Sequence, residues 1–257
     1  MAEPMRKTSL HDRHRALGAK MTDFHGWDMP LYYTSILEEH TAVRQALGVF
    51  DISHMGQVLV TGRDAVQTLN HVTVSEISQV GKGRACYTLM LNESGGIVDD
   101  VIVYRIGDTK YLVIVNCGNR TIDVEWLTAH RRGDTAVSEI SEGRSILAVQ
   151  GPLASRVLEQ MLDAKVAGLG RFEIAPIRTM GPAACLAAHG CEPTTGRVEA
   201  LARLALPSPP LESGAPLVAQ APQEFAEKAA LLARSPTTPL EDALAKILEG
   251  SPRLRMI

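Results

Sequence analysis

Two adjacent carboxylates, Asp99 and Asp100, stand in the stretch YTLMLNESGGIVDDVIVY (87–104), between Tyr87 and Tyr104. The run that holds them is otherwise Ile, Val and Tyr, the composition of a strand. Side chains alternate faces along a strand, so Val98, Asp100, Ile102 and Tyr104 share one face and Ile97, Asp99, Val101, Val103 and Arg105 the other. Both faces are largely apolar, and a strand of that kind is normally covered on both sides. A carboxylate buried there must be hydrogen-bonded or take a raised pKa. Two roles fit. An aspartate can serve the Ser-Gly-Gly turn by accepting from its backbone amides, or it can pair with Arg105. Alternatively, a carboxylate facing a pocket acts as a base or hydrogen-bond acceptor, with Tyr87 and Tyr104 as walls for a flat ligand. Asp100 suits this second role better than Asp99, because it shares its face with Tyr104.

The elements that must position such a strand can be read on either side of it. TSILEEHTAVRQAL (34–47) and DAVQTLNHV (64–72) have helical spacing, and GQVLVTG (56–62) reads as a strand. Three strands then follow, roughly 86–91, 97–106 and 110–116, separated by NESGG and GDT, both suited to hairpin turns. This predicts an antiparallel meander in an α+β chain. SILAVQG (145–151) reads as another buried strand, and PLASRVLEQML (152–162) as a helix with proline in its first turn. The character changes near Gly181. Four prolines precede it and ten follow, and Phe225 is the one aromatic residue beyond it. LPSPPLESGAPLVAQAP (206–222) reads as an extended linker, and 223–234 and 239–250 as short helices.

Composition narrows the function classes. At 257 residues with 45% hydrophobic content, the chain can bury a real core. A net charge of −3 gives no general attraction to nucleic acid or an acidic membrane face, so neither partner is expected. The four cysteines, Cys86, Cys117, Cys185 and Cys191, contain no C-x-x-C pair, which suits a reducing compartment. The N-terminus lacks an apolar signal core and no stretch approaches a membrane span, so a cytoplasmic location is expected. Cys185, His189 and Cys191 are irregularly spaced without a clear fourth ligand, so no metal is expected.

Five ordered segments carry a resemblance: GAKMTDFHGWDMPLYY (18–33), GVFDISHMGQVLVTG (48–62), YTLMLNESGGIVDDVIVY (87–104), YLVIVNCGNR (111–120) and LAVQGP (147–152). In order and spacing the chain resembles the aminomethyltransferases, the T-proteins of the glycine cleavage system, over about residues 8–180. The resemblance implies transfer of the methylene carbon from the aminomethyl-lipoyl arm of H-protein to tetrahydrofolate, a co-substrate, with release of ammonia. It implies that Asp100, the second aspartate of the Gly-Gly-Ile-x-Asp-Asp motif, holds and activates the N10 region of the folate. It implies that Tyr87 and Tyr104 line the folate cavity, and that Asn116 and Met55 contact the folate. His54 reads as structural, and His25 and Trp27 as parts of an ordered entry loop.

The chain also departs from that pattern. T-proteins run longer and end in a β-barrel domain, for which too few strands are seen here. Cys191, in AAHGCEPTTGRVE (187–199), stands where the family motif has a tyrosine, and Glu199 aligns with the family's pterin-binding glutamate only if Arg197 is an insertion. Residues 5–180 therefore read as an incomplete folate-binding aminomethyltransferase domain. Residues 181–257 read as a divergent Ala/Pro-rich tail, partly disordered with short helices, of the kind a reading-frame change or a decayed C-terminus produces. The alternatives are a non-catalytic folate-binding or regulatory relative, or an inactive truncated product.

Overall fold

The computed structural model describes residues 4–162, 168–177, 184–190 and 199–205. In chain order the elements are α1 (His11–Ala16), β1 (Lys20–Phe24), β2 (Trp27–Tyr32), α2 (Ile36–Gln45), β3 (Gly48–Asp51), β4 (Gly56–Thr61) and α3 (Ala65–Val72). Then come β5 (Arg84–Leu91), β6 (Ile97–Arg105), β7 (Lys110–Val115), α4 (Arg120–Ala129), β8 (Ala136–Glu139), β9 (Ile146–Gln150) and α5 (Ala154–Leu162). The last are β10 (Ile174–Ile177), β11 (Ala184–Gly190) and β12 (Glu199–Ala205). The fold is α+β with antiparallel sheets. Two units divide it, one drawn from 1–53, 143–171 and 176–257, the other from 54–142 with 172–175.

The first unit holds a sheet of order β10-β11-β12-β9-β3. Its buried polar centre is His14, which lies between the Tyr33 hydroxyl at 2.7 Å and Asp51 Oδ2 at 2.9 Å. That chain of contacts ties α1, the end of β2 and β3 together without leaving a buried polar atom of His14 unpaired. The segment expected to form an entry loop is instead the β1–β2 hairpin. Phe24 pairs with Trp27, and His25 and Gly26 turn the chain with φ of 50° and 79°. Two positive φ values in a two-residue connection match strand twist, and glycine supplies one of them without strain.

The sequence offered no strand signal after Gly181, yet β11 and β12 are strands. Their residues, ACLAAHG and EALARLA, have weak intrinsic strand preference. They take it from the ladder, in which Leu201 pairs with Val149 and Ala202 with Ala148 of β9. The proposed linker at 206–222 and the helices at 223–234 and 239–250 lie outside the described residues.

The second unit is built around the predicted meander. Its sheet has the order β5-β6-β7-β4-β8, so β4 returns beside β7 and carries β8 on its far edge. Alternate residues of β4, β6 and β7 (Val58, Val60, Val101, Val103, Tyr111, Val113 and Val115) point to one face and are at most 1% exposed. They form one cluster with Leu69 and Val72 of α3 and Leu127 of α4. Burying side chains of this size contributes about 1.5–3 kcal/mol each, against a comparable loss of conformational entropy. Leu112 and Ile114, on the opposite face of β7, are buried as well. Among the described residues no helix is long and apolar enough to cross a membrane.

Candidate functional site

The β5–β6 hairpin sets the geometry of the two aspartates. Its turn is held by Asn92, whose Oδ1 accepts from the Ser94 amide at 3.1 Å, the Ser94 hydroxyl at 2.8 Å and the Gly96 amide at 2.8 Å. Gly95 supplies the left-handed residue at φ 81°. Neither aspartate is therefore needed to cap the Ser-Gly-Gly turn. Nor does either hold Arg105, which donates to the Val80 carbonyl at 2.9 Å and lies over the Tyr111 ring.

A bulge sits just before the pair. Leu91 pairs with Ile97 but Met90 pairs with Asp99, so Val98 is the extra residue. Such irregularities re-aim side chains beside functional positions. From Asp99 onward the alternation is regular. Asp99 is 5% exposed and joins the core face, whereas Asp100 is exposed on the other.

Asp100 is met by two donors. The Tyr87 hydroxyl donates to Oδ2 at 2.9 Å and the Asn116 amide to Oδ1 at 3.1 Å. Tyr87 stands on β5 opposite Ile102, which puts it on the face of Asp100. The hydrogen bond and charge of Asp100 raise the Tyr87 pKa above its ordinary value, so the phenol stays a donor. One carboxylate oxygen thus faces a phenol and the other an amide, a geometry that fixes the group while its charge stays accessible.

Asp99 is the buried hub behind it. Its Oδ1 accepts from Asn116 Nδ2 at 2.9 Å and Asn119 Nδ2 at 3.0 Å, and its Oδ2 from the Asn116 amide N–H at 3.1 Å. Burial opposes its ionisation, but the side chains of Asn116 and Asp123, the Asn116 backbone and the Asn119 side chain together outweigh it and hold the carboxyl below its ordinary value. Asn119 is the N-cap residue of α4; it makes no side-chain cap to its own helix, and its amide donates to Asp99. Asp123, a turn further along α4, is fully buried. Burial first, then the hydrogen bond to Asp99 and the charges of Asp99 and Asp100, push its pKa up to about 8.

The structure thus brings together Asp100, Tyr87 and Asn116. Met55 is half-buried at the start of β4, next to Gly56, whose ladder partner Val115 adjoins Asn116. Tyr104 lies farther off. It is four residues from Asp100, about 13 Å along the strand by backbone rise, and only 2% exposed. Asn119 and Asp123 were not singled out from sequence. The available signal was a carboxylate at position 123, four residues before Leu127 on the buried stripe of a helix. Of the remaining candidates, Cys185 and His189 lie on β11 and Glu199 opens β12, while Cys191 lies outside the described residues.

A known structure shares this antiparallel α+β arrangement. The fold matches the crystal structure of glycine cleavage system aminomethyltransferase T from Bartonella henselae with a TM-score of 0.73 at 27% identity, covering 87% of this chain and 56% of that one. The GCVT N-terminal domain family matches residues 10–188, and the chain belongs to that family. Relatives named aminomethyltransferase include that of Thermotoga neapolitana, 44% identical over 169 residues, 65% of this chain and 47% of the relative. That of Corynebacterium jeikeium is 45% identical over 183 residues, 69% of this chain and 47% of the relative. The Thermus thermophilus protein is 42% identical over 187 residues, 72% and 54% respectively. The chain spans about half the length of the curated relatives it matches.

Proposed function

We propose that this chain binds tetrahydrofolate against the face of Asp100 and transfers to it the methylene carbon carried by the lipoyl arm of H-protein. The observation that carries the reading is the held but exposed carboxylate of Asp100, with Tyr87 on one oxygen and Asn116 on the other. In this reading Asp100 accepts from the folate N10 region and strengthens the attacking nitrogen. Tyr87 lines the open end of the cavity, Met55 and Asn116 line its side, and Tyr104, deeper on the same face, lines its closed end. Attack on the methylene carbon displaces ammonia. Closure of the second carbon–nitrogen bond then displaces the lipoyl thiol, and the two folate N–H protons leave with the ammonia and the thiol. Tetrahydrofolate calorimetry and ammonia release from aminomethylated H-protein test the two halves of this proposal. Absence of both overturns it.

A second reading is folate binding without transfer, favoured by Cys191 standing where the family motif has a tyrosine. Folate binding with no ammonia release selects that reading.

A further inference from the structure

Asp123 has an environment that ionised carboxylates do not tolerate. It is fully buried, and neither oxygen accepts a hydrogen bond from an N–H or O–H donor among the described residues. The charges acting on it, Asp99 and Asp100 of β6, are both negative. Arg120, one turn earlier on α4, is turned away to Glu139 of β8 at 2.6 Å. Further along the helix, Leu127 belongs to the apolar cluster and Val124 packs against it. Two ionised carboxylates cannot share such a place. A proton on Asp123 resolves the conflict, since the acid then donates to Asp99 while the Asp99 oxygens keep their three hydrogen bonds from Asn116 and Asn119.

We propose that Asp123 is a positioning residue, a neutral carboxylic acid whose proton fixes Asp99, and through Asp99 fixes the Asn116 amide on Asp100. The link is short. Asn116 Nδ2 lies 2.9 Å from Asp99 Oδ1 and 3.1 Å from Asp100 Oδ1, so any shift of Asp99 moves the group that orients Asp100. The opposite displacements of the two buried pKa values, Asp99 down and Asp123 up, are those of a dyad holding one proton. Loss of that proton sets two charges against each other and releases the clamp.

The functional consequence rests on Asp100 being the carboxylate required for transfer, so the test has one arm independent of activity. In the intact chain, carboxyl-carbon NMR of labelled aspartate should show Asp123 titrating around pH 8, with the Asn116 side-chain amide shifting at the same midpoint. Titration of Asp123 in the ordinary aspartate range of about 4, or an Asn116 amide that ignores it, overturns the proposal. In the activity arm, wild-type transfer should fall as pH rises past about 8, and Asp123→Asn, which keeps a donor but cannot titrate, should retain transfer without that fall. Asp123→Ala should lower kcat roughly tenfold or more with the KM for folate little changed. An Asn variant as impaired as the Ala variant, or one with an unaltered pH profile, also overturns it. If wild type releases no ammonia, the transfer reading fails, and the NMR arm alone decides the role of Asp123.

Discussion

At the scale of single residues, neighbouring aspartates of the same strand hold different positions, one solvated and one interior. Asp100→Asn keeps shape and removes charge at an exposed position, so stability against urea should change by less than about 0.5 kcal/mol, while transfer is lost. Asp99→Asn should cost stability and, because Asp99 holds the Asn116 amide that orients Asp100, lower transfer as well. The amide turns an N–H toward donors that the carboxylate accepted, and each buried donor left unpaired costs about 1–3 kcal/mol. Urea melts and ammonia release on the two variants check the pair, and an active Asp100→Asn chain removes the basis of the proposed function. Much of this division was legible in the sequence, since alternation along the strand separates the two side chains. The partners of Asp99 were not. A turn-capping role was the reasonable local guess, but Asn92 fills it, and the true donors come from residues 116 and 119, whose approach depends on how β7 runs into α4.

At the scale of elements, the meander was readable because its turns and its apolar alternation agree. The β1–β2 hairpin, α4 and the strands β11 and β12 were not, each for a physical reason. A hairpin closed by His25 and Gly26 lacks strong turn chemistry, α4 mixes polar residues with a buried aspartate, and alanine-rich strands depend on their neighbours. The β5–β6 turn offers a direct check of the element that delivers Asp100. Gly95→Ala places a side chain at φ 81°, which costs roughly 1–2 kcal/mol. Asn92→Ala removes three accepted hydrogen bonds and should cost about 1 kcal/mol, as other lost caps do. Thermal melts should show both losses. Melts unchanged in both variants would mean that the turn does not stabilise the sheet.

At the scale of the whole molecule, charge linkage predicts how stability follows pH. Between the unfolded aspartate value of about 4 and about 8, the folded chain keeps a proton on Asp123 that the unfolded chain releases. That contribution is complete at the acid end and is lost as pH rises through the folded value. Asp51 and Asp99, both held below the ordinary value, act oppositely, and their stabilisation is lost as pH falls below about 4. Urea midpoints of wild type relative to Asp123→Asn should therefore decline from about pH 4 to about pH 8; a flat difference contradicts the assignment. The family relationship predicts a ligand effect on the same scale. Tetrahydrofolate should raise the melting temperature, as any ligand that binds the folded chain and not the unfolded one does. No thermal shift at millimolar folate would remove the binding claim.

The sheet of the first unit joins β3 to β9 across an interval that contains the whole meander. Just beyond β3, the Ile52 amide donates to the Ile146 carbonyl at 3.0 Å, and the Ser53 hydroxyl accepts from the Ile146 amide at 3.1 Å. The interval from 54 to 142 thus leaves and re-enters the chain at one clasped seam. During synthesis, which proceeds from the N-terminus, the ribosome releases that interval as an uninterrupted stretch, whereas β3 must wait for β9, and β9 for β12. A nascent chain in which β9 has not yet emerged should already resist protease across residues 54–142 while its first 53 residues remain cleavable, so the part that carries Asp100 matures before the seam closes.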